Sequence, residues 1–210
     1  TDMSLADFRD DEKTQYAVLT DEGRVNLTGV FFEQIVEGDQ KRLRMVATDG
    51  HRLSRIDSFP DADMGFSLRK GVIIPRNGLA EIVRALEEGE GVEIGIKENN
   101  FVLKKQSEAL IIRLIDGEFP DYKLVIPKAN KHVMKVNKDG FLKMLKRMSI
   151  LSSSKYRSVR CELRKDTLET ITSNPEIGET KEVMSMDYKG EDIEIAFTPR
   201  YVIHALNAIR

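Results

Sequence analysis

Tryptophan is missing from this chain, cysteine occurs once, and only 6 prolines and 14 glycines punctuate 210 residues. One thiol cannot pair within the chain, so neither a disulfide framework nor a Cys-x-x-Cys metal or redox pair supports the fold. There is no apolar run of about 18 residues and no basic-then-apolar leader. Neither a membrane span nor a signal peptide is therefore expected, and the chain reads as cytoplasmic. An excess of positive charge is also lacking. The 33 Lys and Arg residues face 35 Asp and Glu, a net charge of -2 that argues against a nucleic-acid binder of the ordinary basic kind. Glycine-rich phosphate loops, Gly-x-Ser-x-Gly elbows and His-Glu-x-x-His pairs do not occur, and His51, His132 and His204 stand in unrelated contexts. No catalyst and no cofactor site is expected.

Hydrophobic residues make up 40% of the chain, enough for one or two cored domains, and charged residues make up 32%, enough to solvate their surfaces. A weak internal repeat aligns Ile74-Pro75-Arg76-Asn77-Gly78-Leu79 with Thr198-Pro199-Arg200-Tyr201-Val202-Ile203. Each copy places Pro-Arg at a strand exit and continues into an amphipathic helix. Upstream, Arg24 before Val25-Asn26-Leu27 parallels Arg157 before Val159-Arg160-Cys161. So long a period means duplicated domains, because solenoid repeats run only about 20–50 residues. The parting is placed in the polar stretch Pro127-Lys128-Ala129-Asn130-Lys131.

In the first copy, 92–97 and 101–104 alternate around a Glu98-Asn99-Asn100 turn, and 110–114 continues the pattern. A helix over 78–88 buries Leu79, Ile82, Val83 and Leu86. A second helix begins near Asp139, with Phe141, Leu145 and Met148 inward and Lys143, Lys146 and Arg147 opposite. Segment 141–160 carries Lys143, Lys146, Arg147, Lys155, Arg157 and Arg160 and no acidic residue, a local segregation of charge that is either a solvated face or a surface for phosphates. Cys161, in the alternating run 159–163, reads as a small buried strand residue. The pattern fails once. After Leu5 and Phe8 a helix should supply apolar residues, yet Asp10-Asp11-Glu12 follow, so that helix is irregular or the chain discontinuous there.

Strand Arg42–Ala47 alternates, with Leu43, Met45 and Ala47 on one face and Arg42, Arg44 and Val46 on the other, the pattern of a half-buried strand. It ends in Thr48-Asp49-Gly50-His51-Arg52-Leu53, a turn that presents His51 and Arg52. By itself the turn reads as a polar cap on the strand. Asp49, His51 and Asp57 have the composition of a divalent-metal site, without a second ligand cluster to complete it.

The segment Ala47-Thr48-Asp49-Gly50-His51-Arg52-Leu53, followed by Ile73-Ile74-Pro75-Arg76-Asn77-Gly78-Leu79 and Gly117-Glu118-Phe119-Pro120-Asp121-Tyr122, resembles the bacterial DNA polymerase III β-subunit, or sliding-clamp, family. The resemblance runs along essentially the whole chain. It implies the clamp's middle domain over 1–130 and its C-terminal domain, truncated, over 131–210, with the first domain and final strands absent. The implied fold is α+β, made of repeated DNA-clamp domains that each pack two helices on antiparallel sheets. The implied activity is that of a non-catalytic processivity factor that encircles duplex DNA.

By residue match the resemblance places a partner-peptide pocket at Leu27, Thr48, Gly50, His51, Arg52, Leu53, Pro120 and Val125, with apolar walls and a few orienting polar groups. Leu124 stands where the family often has a basic residue. Arg24 and Arg76 match DNA-facing positions; Lys143, Lys146, Arg147, Lys155 and Arg157 join them on repeat position and charge. The implied partners are double-stranded DNA, the polymerase III catalytic subunit, the clamp loader, other clamp-binding proteins, and a second copy in a homodimer ring at full length, with no membrane. Two other readings stand beside this one: a metal-dependent nucleic-acid enzyme using Asp49 and His51, and a peptide-binding scaffold that never touches DNA.

Overall fold

The computed structural model describes residues 2–3, 12–20, 23–38, 40–59, 68, 70–85, 92–105, 107–151 and 158–209. The chain divides into two units, Thr1–Lys123 and Leu124–Arg210. In the first, a sheet ordered β4-β3-β2-β5 is built from β2 (Gly29–Glu37), β3 (Gln40–Thr48), β4 (Leu53–Ser58) and β5 (Val72–Pro75). A second sheet, ordered β1-β6-β7-β8, is built from β1 (Asp2–Met3), β6 (Val92–Lys97), β7 (Asn100–Lys105) and β8 (Glu108–Arg113). Helices α1 (Glu12–Gln15) and α2 (Arg76–Ala85) complete this unit. Among the described residues every strand pair of this unit is antiparallel. The second unit packs α3 (Lys138–Met148) and α4 (Pro199–Ala208) with a sheet ordered β11-β10-β9-β12, from β9 (Val159–Arg164), β10 (Thr167–Asn174), β11 (Gly178–Ser185) and β12 (Ile193–Phe197). This is the α+β class, with helices on antiparallel sheets, and the strand-to-helix passages at Pro75 and Pro199 recur as the internal repeat requires.

Local chemistry explains the helices. Helix α2 starts at Arg76, two residues ahead of expectation, and buries Leu79 and Ile82; residues 86–88 of the expected helix lie outside the described residues. Helix α3 is capped by Asn137, whose side-chain oxygen accepts from the Gly140 amide at 2.8 Å. Asp139 in its first turn and Lys146 and Arg147 in its last suit the helix dipole. Its inward face holds Phe141, Leu145 and Met148 as read, with Met144 added, against Val159, Cys161, Leu168 and Tyr188. Cys161 is buried in β9, and burial pushes its thiol up to about 11, which leaves it protonated and inert at neutral pH.

Two expectations need correction. The hairpin between β6 and β7 turns on Glu98 and Asn99 alone, with Glu98 at φ 55° and Asn100 already paired in the strand. More consequentially, β3 is not half-buried. Leu43, Met45 and Ala47 enter the core as expected, yet Val46 is fully buried on the other face and Arg44 is only 7% exposed. The expected helix around Leu5 and Phe8 falls outside the described residues, which include α1 at Glu12–Gln15. Among the described residues no helix is long and apolar enough to cross a membrane.

Candidate functional site

The turn leaving β3 is held by its own side chains. The Asp49 carboxylate accepts from the backbone amides of His51 at 2.9 Å and Arg52 at 3.0 Å, and its other oxygen accepts from Arg52 Nε at 3.0 Å. Thr48 Oγ1 donates to the Arg52 carbonyl at 2.7 Å and accepts from the Gly50 amide at 3.1 Å. Burial by itself would raise the Asp49 carboxyl, but these amides and the Arg52 guanidinium outweigh it and hold it below the usual carboxylate range. Arg52 also lies over the Tyr16 ring, 5.3 Å from its centroid. His51 is left exposed at the tip.

The short 3-10 turn Val25–Leu27 ties separate parts of the first unit together. On one side, Arg24 Nη2 donates to the Asp49 carbonyl at 3.2 Å, its guanidinium lying over Gly50. Gly50 has φ +87°, and a Cβ there would sit 2.9 Å from Arg24 Nη2, so both backbone and neighbour call for glycine. On the other side, Asn26 Nδ2 donates to the Glu118 carbonyl at 2.7 Å, tying in the segment that carries Pro120. Leu27 between them is 2% exposed, a packed floor and not an offered surface. Thr48, Arg52 and Leu53 are half-buried, while Gly50, His51 and Pro120 are exposed. Val125 lies in the second unit, exposed like its neighbour Leu124.

The charged set divides differently from its sequence reading. Arg24 is engaged with the His51 turn, and Arg76 is exposed at the first position of α2. Lys143 and Lys146 are exposed on α3. Arg147 is also exposed but grips the Glu182 carboxylate through Nε, at 3.0 Å, and Nη2. Lys155 and Arg157 lie outside the described residues.

A feature the sequence reading missed lies on the second face of β3. Glu33, Arg44 and Asp57 stand directly opposite one another across β2, β3 and β4. Arg44 forms a two-pronged pair with Asp57, Nε to Oδ1 at 2.6 Å and Nη2 to Oδ2 at 2.8 Å, and donates through Nη1 to the Tyr122 hydroxyl at 3.0 Å. That hydroxyl donates in turn to Glu33. The Arg44 hydrogen bonds lower the Asp57 carboxyl, and burial, the largest influence, pushes the Tyr122 phenol up to about 12. Only strand register reveals the row, and register is not written in single residues. Asp57 is committed to Arg44 and Asp49 to its own turn, so both carboxylates of the candidate metal set are already engaged. Among the described residues no group of three or more His, Cys, Asp or Glu side chains could hold an ion.

A tandem repeat of helix-on-antiparallel-sheet units, with a side-chain-braced turn at the exit of β3, is the build of a DNA-clamp protein. The comparisons agree. The family model for the DNA polymerase III beta subunit central domain matches residues 9–121, and that for its C-terminal domain matches 123–210. The Caulobacter vibrioides beta sliding clamp is 35% identical over 200 residues, covering 94% of this chain and 53% of the relative; the Escherichia coli K12 beta sliding clamp is 36% identical over 201 residues, covering 95% and 53%. The solved Caulobacter crescentus pol III beta superposes with a TM-score of 0.90 at 33% identity, covering all of this chain and 56% of that one. A Bartonella birtlesii sliding clamp bound to griselimycin gives 0.90 at 30%, with the same coverage. The chain therefore belongs to the bacterial DNA polymerase III β-subunit, or sliding-clamp, family, and it spans about half the length of the curated relatives it matches.

Proposed function

We propose that the protein is a replication sliding clamp, a cytoplasmic processivity factor that encircles duplex DNA as a ring of two copies and recruits the replicative polymerase, clamp loader and other partners through short peptides. The observation that carries this is the joining of two distant segments at the 3-10 turn: Arg24 on the His51 turn and Asn26 on the Pro120 segment, with Leu27 of the turn itself packed inside. Half-buried Leu53, exposed Pro120 and His51, and few polar groups suit a peptide lying in a shallow cleft. Lys143, Lys146 and Arg76 supply exposed positive charge that meets phosphates without regard to base sequence. A closed ring cannot leave DNA sideways, so these contacts stay weak, movement is easy, and a tethered polymerase acts at high effective concentration. The protein carries out no chemistry. The metal-dependent alternative is disfavoured because its carboxylate, Asp49, is already engaged by the amides and guanidinium of its own turn.

The full-length protein, loaded by its clamp loader onto nicked circular duplex, should stay with the circles through gel filtration and be lost when they are linearised. His51→Ala should leave this retention intact while weakening capture of a fluorescein-labelled polymerase peptide by about tenfold, the loss of one good anchor in a small interface. Equal retention on circular and linear DNA would overturn the ring, and undiminished peptide capture would overturn the cleft.

A further inference from the structure

The row Glu33-Arg44-Asp57 is a strongly charged feature of the first unit that clamp action as described above does not use. Burying the charged groups of Glu33 and Arg44 and half-burying Asp57 gains little stability, because well-packed apolar side chains of similar volume do as well or better. What charges and hydroxyls add is direction. Here the direction is toward the segment Gly117–Tyr122, whose Tyr122 hydroxyl is held between Glu33 and Arg44. Three residues earlier the same segment is held a second time, where Phe119 stacks on Phe31 with ring centroids 4.9 Å apart and planes 7° from parallel. Phe31 touches the Tyr122 ring too, at 6.5 Å. Gly71 makes room for the stack: at φ +64°, its missing Cβ would lie 2.2 Å from Phe31 Cζ. Between the two anchors stands Pro120, exposed, its φ fixed by its own ring.

We infer that Tyr122 and Phe119 are positioning residues for Pro120, and that the buried row beneath them sets the register of this wall of the peptide cleft. The inference rests on the peptide-binding reading and deepens it. With both ends pinned and a proline between, the wall is already in place before a peptide arrives, so ordering it costs no affinity. Tyr122→Phe removes the hydroxyl that links wall to row and leaves the ring in place; Glu33→Gln keeps an oxygen to accept from that hydroxyl.

The test is a double-mutant cycle in the full-length protein, read by fluorescence titration of a labelled synthetic peptide carrying one Gln and two Leu, with thermal unfolding as the fold control. Tyr122→Phe, which removes both hydrogen bonds of that hydroxyl, should weaken the peptide by about tenfold, and Glu33→Gln, which leaves both possible, should stay close to the unsubstituted protein. In a Pro120→Ala background, Tyr122→Phe should add almost nothing, since its effect passes through Pro120. Phe119→Leu, which breaks the other anchor, should show the same non-additivity. Additive losses would show that these residues matter only to general stability and would overturn the inference, as would full affinity in Tyr122→Phe. Failure of the unsubstituted protein to bind the peptide would overturn the peptide reading itself, and this inference with it.

Discussion

Removing the two exposed lysines of α3, with Lys143→Ala and Lys146→Ala in the full-length protein, tests the charged face directly. Both side chains lie opposite the Phe141, Met144, Leu145 and Met148 face, and alanine is the best helix former, so the helix and its Asn137 cap should persist. Arg147 is left out of the count because its guanidinium already serves Glu182. Two lost phosphate neighbours at about 0.9 each should reduce the slope of log affinity against log salt by about 1.8. Between about 50 and 200 mM salt, a 0.6 change in the logarithm, that difference amounts to about tenfold in relative affinity. Fluorescence anisotropy of a short labelled linear duplex across this range reads it. Arg147→Ala should move the slope less than either lysine, and Glu182→Gln should steepen it by releasing Arg147. An unchanged slope in the double-lysine variant, with the circular dichroism spectrum intact, would refute the reasoning: α3 would then carry an ordinary solvated charge pattern.

Asp57 has its carboxyl lowered by Arg44, so its pairing stabilises the fold above the unfolded value near about 3.9 and is lost as pH falls through the lower folded value. Asp57→Asn should cost on the order of 3 kcal/mol at neutral pH, because Arg44 keeps its burial and loses its partner, and should flatten the fall in stability below about pH 4; urea titrations at several pH values check both. Gly50→Ala should cost about 1 kcal/mol of stability through its left-handed backbone and, by pushing the Arg24 guanidinium off the Asp49 carbonyl, should weaken peptide binding as well. Calorimetry and peptide titration on one preparation measure the two effects.

By itself the sequence determined the elements whose signals are local. Helix α3 followed from the spacing of Phe141, Leu145 and Met148, the hairpin at Glu98-Asn99 from alternation around turn residues, and the duplication from Pro75 and Pro199 at matching strand exits. The family resemblance lay in contiguous segments too, which is why the His51 turn could be singled out before any contact was known. Pairing across distance had to wait for the tertiary structure. Arg44 looked like a solvated strand residue because one chain position carries no register; only with β2, β3 and β4 side by side do Glu33 and Asp57 flank it and Tyr122 close over it. Arg24 and Arg147 likewise read as free positive charge, since charge is counted along the chain, whereas their partners, the Asp49 carbonyl and the Glu182 carboxylate, are brought near by folding. Local periodicity is set by the geometry of one strand or one turn of helix, and a chain reveals it directly. Which buried charge meets which partner depends on contacts that close loops of tens of residues, and those exist only once the sheets have assembled.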